Sequence, residues 1–96
     1  MEIKKSAIAG TVESNDILIT VDKGNNGIEL DLDSSVKKQF GKQIEKVIRE
    51  TVEEMNIKDI NIKAVDKGAL DYVIMSRVKT AIYRACECEE YSWGEI

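Results

Sequence analysis

The chain has 96 residues, 43% of them hydrophobic and 33% charged, with no proline and no histidine. That length holds one domain with a single core of modest stability; proline-rich linkers and collagen-like repeats are excluded, and the missing histidine removes the usual neutral-pH general base, every Ser-His or Cys-His nucleophile pair and the commonest metal ligand. Glu87, Glu89, Glu90 and Glu95 account for the whole net charge of −4, so residues 1–85 are neutral, with 14 basic and 14 acidic side chains, and present no broad basic field to nucleic acid or an anionic membrane.

The opening Met1-Glu2-Ile3-Lys4-Lys5 lacks the apolar run of a signal peptide. No later stretch approaches the roughly 20 apolar residues of a membrane span, so a cytoplasmic protein is expected. Residues 6–12 predict a short strand, with Ile8, Gly10 and Val12 on one face and Ala7, Ala9 and Thr11 on the other. Glu13-Ser14-Asn15-Asp16 then breaks the apolar pattern with turn formers. Alternation resumes at Ile17, Ile19 and Val21, and two β-prone runs around a short polar turn predict a hairpin. Lys23-Gly24-Asn25-Asn26-Gly27 is a second turn, rich in residues that accept positive φ. No helix start or Lys-Ser/Thr follows these glycines, so they do not form a phosphate-cradling loop. Ile28, Leu30 and Leu32 next face a core while Glu29, Asp31 and Asp33 face water.

Asp33 or Ser34 is placed to cap the helix predicted over residues 34–55. Its stripe is Val36, Phe40, Ile44, Val47, Ile48, Thr51, Val52 and Met55. The opposite side pairs Glu45 with Arg49, Lys46 with Glu50 and Arg49 with Glu53, each four apart. Gly41 is a mild weakness inside the helix. Ile60, Ile62 and Ala64 alternate inward in a fourth strand, and Asp66-Lys67-Gly68 turns the chain. Leu70, Val73, Ile74, Val78, Ala81, Ile82 and Ala85 mark a second amphipathic helix over 69–85, with Asp71 and Arg84 suited to its dipole. Residues 86–96 show no period, although Tyr91 and Trp93 could dock on the body. Cys86 and Cys88 are too close for an ordinary staple and lack the partners of a zinc site, so they are expected as free thiols.

The order β-β-β-α-β-α predicts an α+β fold in two layers. A mainly antiparallel four-stranded sheet carries both helices on one face. Residues 1–85 form the domain and 86–96 an acidic tail. No constellation of side chains looks catalytic. The carboxylates fall on strand faces and helix surfaces, where solvation is the default. Ser14 stands apart because it occupies the tip of the first hairpin, where another enzyme could reach its hydroxyl.

Ala9-Gly10-Thr11-Val12-Glu13-Ser14-Asn15-Asp16-Ile17 resembles the N-terminal signature of the citrate lyase acyl carrier protein (gamma subunit) family. Gly27-Ile28-Glu29-Leu30-Asp31-Leu32, Val36-Lys37-Lys38-Gln39-Phe40-Gly41 and Val65-Asp66-Lys67-Gly68-Ala69-Leu70-Asp71, running on to Arg77-Val78-Lys79, resemble the same family in order over residues 1–85. The resemblance implies a non-catalytic carrier subunit. In that family a serine of the first loop bears phosphoribosyl-dephospho-coenzyme A through a phosphodiester, and the matching position is Ser14. A separate prosthetic-group transferase installs the group from a triphosphate precursor. The thiol of the arm carries acetyl, which the citrate lyase alpha subunit exchanges for citryl. The beta subunit cleaves citryl to oxaloacetate, so that citrate yields acetate and oxaloacetate. A carrier needs a firm body and an exposed hydroxyl but no acid–base groups, so the absent histidine ceases to be awkward. In isolation Glu13 and Asp16 would repel a triphosphate, which leaves the transferase, together with a metal ion, to screen both. The strand signals are too strong for the four-helix carriers of fatty acid synthesis. The rival readings are the related carrier of malonate decarboxylase and a small α+β interaction module without a prosthetic group.

Overall fold

Six elements follow in the order β-β-β-α-β-α in the computed structural model, which describes residues 2–87. They are β1 (Ala7–Gly10), β2 (Ile17–Lys23), β3 (Ile28–Ser34), α1 (Lys37–Glu54), β4 (Ile60–Asp66) and α2 (Asp71–Ala85). The α+β reading therefore holds, with each helix two or three residues shorter at its start than the periodicity suggests. The strand order is β1-β2-β4-β3. β1 pairs antiparallel with β2, and β2 antiparallel with β4, whereas β3 lies parallel to β4. Parallel neighbours need a long crossover, which α1 provides.

The turn after β2 does not close a hairpin, because β4 lies between β2 and β3. It steps over the start of β4 instead. Ile60 pairs with both Lys23 and Ile28, and its N–H donates to the Gly27 carbonyl at 3.1 Å. A Cβ on Gly24 would stand 2.7 Å from the Ile60 nitrogen, so the crossing is too close for a side chain.

Alternation places Ile17, Ile19, Val21, Ile60, Ile62, Ala64 and Leu32 on the buried face. The other face carries Glu29, Asp31, Asn61 and Lys63, all exposed. α2 packs on β1 and β2, α1 packs on β3, and the helices pack on each other. From α1 the core receives Ile44, Ile48, Thr51 and Val52, and from α2 Ile74, Val78, Ala81 and Ile82. β-branched residues dominate, and no aromatic ring is among the buried core of the described residues. β-branched side chains suit a pleated, packed surface, so the core is firm without large rings.

Several local expectations differ. Phe40 continues the α1 stripe in sequence yet is 54% exposed, and the stripe starts instead at buried Gly41. Phe40 lies in the first turn of α1, where it lines a surface groove with Val36, Leu70 and Tyr72. Val47 is only half-buried, while Ile48 is fully enclosed. Leu70, expected in the α2 stripe, precedes the helix and is exposed. Neither Asp33 nor Ser34 is the N-cap. Val36 is, with no side-chain cap bond. The Ser34 hydroxyl accepts from the Val36 N–H at 3.1 Å and donates to Asp66 Oδ2 at 2.8 Å. Of the three expected charge pairs on α1, Lys46–Glu50 forms at 3.8 Å. Arg49 instead donates to the Ile28 carbonyl at 3.2 Å. Cys86 is buried within the core cluster and is in no disulfide among the described residues. Cys88, Tyr91 and Trp93, singled out above, lie outside the described residues. Among the described residues no helix is long and apolar enough to cross a membrane.

Candidate functional site

The β1–β2 hairpin turns through residues 11–16, and Ser14 lies in that turn. Ser14 is exposed, and its hydroxyl has no hydrogen-bond partner among the described residues. Exposure does not by itself single it out, since Ser6, Ser35 and Ser76 are exposed as well. Ser34 is half-buried and engaged with Asp66, and Ser92 lies outside the described residues. The surroundings of Ser14 make the difference.

β1 stops at Gly10, whose φ of +96° leaves the extended region. A Cβ there would fall 1.8 Å from the Ile17 carbonyl oxygen, so only glycine lets the two strands meet at the base of the turn. Across the tip, Asn15 takes φ +65°, a left-handed conformation that asparagine tolerates better than most residues. The Asp16 N–H donates to the Glu13 carbonyl at 3.2 Å. The Asn15 N–H donates to the Lys67 carbonyl at 2.8 Å, and the Lys67 N–H donates to the Asp16 carbonyl at 2.9 Å. The turn is thus bonded to the loop that follows β4.

That loop is itself held by Asp66, which is fully buried at the end of β4. One carboxylate oxygen accepts from the Ala69 N–H at 2.9 Å. The other accepts from the Gly68 N–H at 3.1 Å and the Ser34 hydroxyl at 2.8 Å. A buried carboxylate is tolerable only with such partners. It fastens the loop that in turn fastens Asn15.

A second carboxylate works within the turn. Arg77 of α2 forks onto Asp16, Nε to Oδ1 and Nη2 to Oδ2, both at 3.0 Å. The Thr11 hydroxyl donates to Asp16 Oδ2 at 2.7 Å, and the Ile17 N–H donates to Oδ1 at 2.7 Å. Thr11 Oγ1 also accepts from the Glu13 N–H at 3.2 Å. These bonds, led by the Arg77 guanidinium, lower the Asp16 pKa from 3.8 to about 2 against the opposing effect of burial. Of the two carboxylates expected to need screening beside Ser14, Asp16 is already paired with Arg77 in the fold. Sequence reasoning placed Arg77 in a stretch resembling the family but did not foresee its pairing with Asp16, 61 positions away.

Both Asp16 oxygens are engaged by Arg77, Thr11 and Ile17, and no hydrogen bond joins Asp16 to the Ser14 hydroxyl among the described residues. The arrangement leaves the Ser14 hydroxyl open to solvent. Beyond the 66–71 loop, Val36, Phe40, Ala69, Leu70 and Tyr72 line an apolar groove of about 640 Å³.

The profile of the family described as malonate decarboxylase delta subunit (MdcD) matches residues 4–85. The citrate lyase acyl carrier protein of Oenococcus oeni is 58% identical over 96 residues, covering 100% of this chain and 99% of the relative. That of Halothermothrix orenii is 53% identical over 90 residues, 94% of this chain and 96% of the relative. A chain of a Pseudomonas malonate decarboxylase hetero-tetramer in complex with malonate superposes with a TM-score of 0.75 over 86% of each chain at 18% identity, which is a likeness of fold.

Proposed function

Because this chain belongs to the citrate lyase acyl carrier protein family, we propose that it is the acyl carrier subunit of citrate lyase, with Ser14 as the attachment site of a covalent phosphoribosyl-dephospho-coenzyme A group. The observation that carries the assignment is the presentation of the Ser14 hydroxyl. It is exposed, unbonded and set in a turn tied to β4 and α2. A phosphodiester needs one accessible oxygen and room around it, and the turn offers both. When bound, the group supplies a thiol at the end of a long arm, which holds acetyl and citryl as thioesters.

Residues 1–85 serve as the carrier, with 86–96 as a tail outside that role. The partners are the citrate lyase alpha and beta subunits and the prosthetic-group transferase, in the cytoplasm. In the charging step Ser14 Oγ attacks phosphorus of the triphosphate precursor. The Oγ–P bond forms, the bond to the departing pyrophosphate breaks, and the hydroxyl proton passes to a base of the transferase. Tethering then raises the effective concentration of the acyl group at the partner sites. The malonate decarboxylase reading has the family description over residues 4–85 behind it, and the citrate lyase carriers at 47–58% identity over the whole chain favour the citrate lyase reading.

The test is to coexpress wild type and Ser14→Ala with the transferase, digest both and map the modified peptide. The wild type should gain the group on Ser14, and the folded variant should stay unmodified and fail to support citrate cleavage. A group found on another serine, or retained by the variant, overturns the assignment.

A further inference from the structure

We propose that Arg77 is a positioning residue for the modification of Ser14, holding the acceptor turn in one shape and cancelling the charge of Asp16 in front of an anionic donor. The inference rests on the carrier reading above. The base of the device is firm. Arg77 lies on α2 between Ile74 and Val78, both fully enclosed in the core. Its guanidinium reaches out from that base and grips both oxygens of Asp16. A bidentate fork fixes direction as well as distance, which a lysine ammonium cannot do.

Through Asp16 the grip extends to both ends of the turn. Asp16 holds the Thr11 hydroxyl at one end and the Ile17 N–H at the other, and Thr11 holds the Glu13 N–H. Ser14 lies inside that closed circuit. The Arg77 side chain is 40% exposed and that of Asp16 14%, so the pair lies at the edge of the core. A partly exposed ion pair adds only modestly to stability, and this fold has an apolar core that does not include it. What the pair does is local. It removes alternative shapes of a six-residue turn and one net negative charge two residues from the acceptor oxygen. Both effects act on the same step. Ser14 Oγ must meet the phosphorus of a triphosphate in line, forming the Oγ–P bond as pyrophosphate departs and its proton goes to the transferase.

The two roles separate in the kinetics of charging. Purified transferase is supplied with its triphosphate donor and the full-length carrier, and attachment is followed by intact mass. In Arg77→Met both roles are lost, so the KM for the donor should rise about ten-fold and kcat should fall about ten-fold. Arg77→Lys keeps the charge without the fork, so KM should stay near wild type while kcat falls. The double variant Arg77→Met with Asp16→Asn should recover KM but not kcat. Thermal melts guard against simple unfolding, and amide exchange at Asn15 and Lys67 should quicken in each variant. If folded Arg77→Met charges with wild-type kcat and KM, or if Arg77→Lys and Arg77→Met behave alike in KM, the inference fails. If wild type itself takes no group, the carrier reading fails instead.

Discussion

Gly10→Ala is the sharpest test of how the Ser14 turn is built. An alanine there must hold φ near +96°, which costs about 1–2 kcal/mol for a residue with a Cβ. The new methyl would also lie 1.8 Å from the Ile17 carbonyl oxygen and 3.3 Å from Arg77 Cδ. Ordinary carbon–oxygen contact is roughly 3.2 Å, so something must yield by more than an ångström. Ile17 cannot yield easily. It is fully enclosed and pairs with Asp66, the residue that fastens the neighbouring loop. Strain and lost pairing together amount to about 3–5 kcal/mol, against a total of roughly 5–14 kcal/mol for a domain of this size. With a urea slope of about 1–1.5 kcal/mol per molar, the midpoint should fall by roughly 2–5 M. Circular dichroism in urea measures this. If the turn peels away while the core survives, amide exchange at Asn15 and Lys67 will show it. A midpoint within about 0.5 M of wild type, together with unchanged exchange, would refute the close-contact argument.

Two further outcomes follow from burial and charge. Ile48→Asp should abolish folding, since it places an unpaired carboxylate in a fully enclosed site. Val47→Asp, at the half-buried neighbouring position, should cost no more than about 2 kcal/mol because its carboxylate can reach water; urea melts of the two variants must differ in that order. Asp16, with its pKa lowered from 3.8 to about 2, contributes stability that is complete above pH 3.8 and is lost as pH falls through 2. After allowance for the partial exposure of Arg77 the loss is roughly 1–2 kcal/mol, and Arg77→Met should remove that part of the acid dependence in melts from pH 5 to pH 2.

The inward faces of β2, β3 and β4 were legible because each strand has one buried and one wet side, which writes a period of two into the sequence. The order of the strands was not. Alternation tells a strand which face to bury, not which strand to lie beside. The four residues between β2 and β3 would suit a hairpin equally well; they cross over Ile60 instead, and Gly24 shows why only from the contact itself. Phe40 illustrates a related limit. Its spacing matches the stripe, but spacing carries no information about what the first turn of the helix faces.

The turn around Ser14 was legible as a break in apolar pattern, and the role proposed for it came from the family resemblance rather than from spacing. The two carboxylates that organise the turn were not legible as such. Asp66 stands in Asp-Lys-Gly, a run that reads as a solvated turn, yet it is enclosed and accepts three hydrogen bonds. Asp16 and Arg77 are 61 positions apart, and nothing local marks either for the other. Their pairing depends on β1 and β2 packing beneath α2, which brings the mid-helix guanidinium over the hairpin end. The consequence is physical rather than descriptive. A carboxylate that looks in sequence like a bare negative neighbour of Ser14 becomes, once the helix docks, a paired support of its turn. The charge environment of Ser14 is thus a property of the folded state, and a denatured chain or an isolated peptide spanning the turn would offer the same hydroxyl beside two bare carboxylates. A peptide of residues 9–17 should accordingly be charged by the transferase far more slowly than the folded carrier at equal concentration. Equal rates would show that the turn acts through sequence alone and not through the fold that holds it.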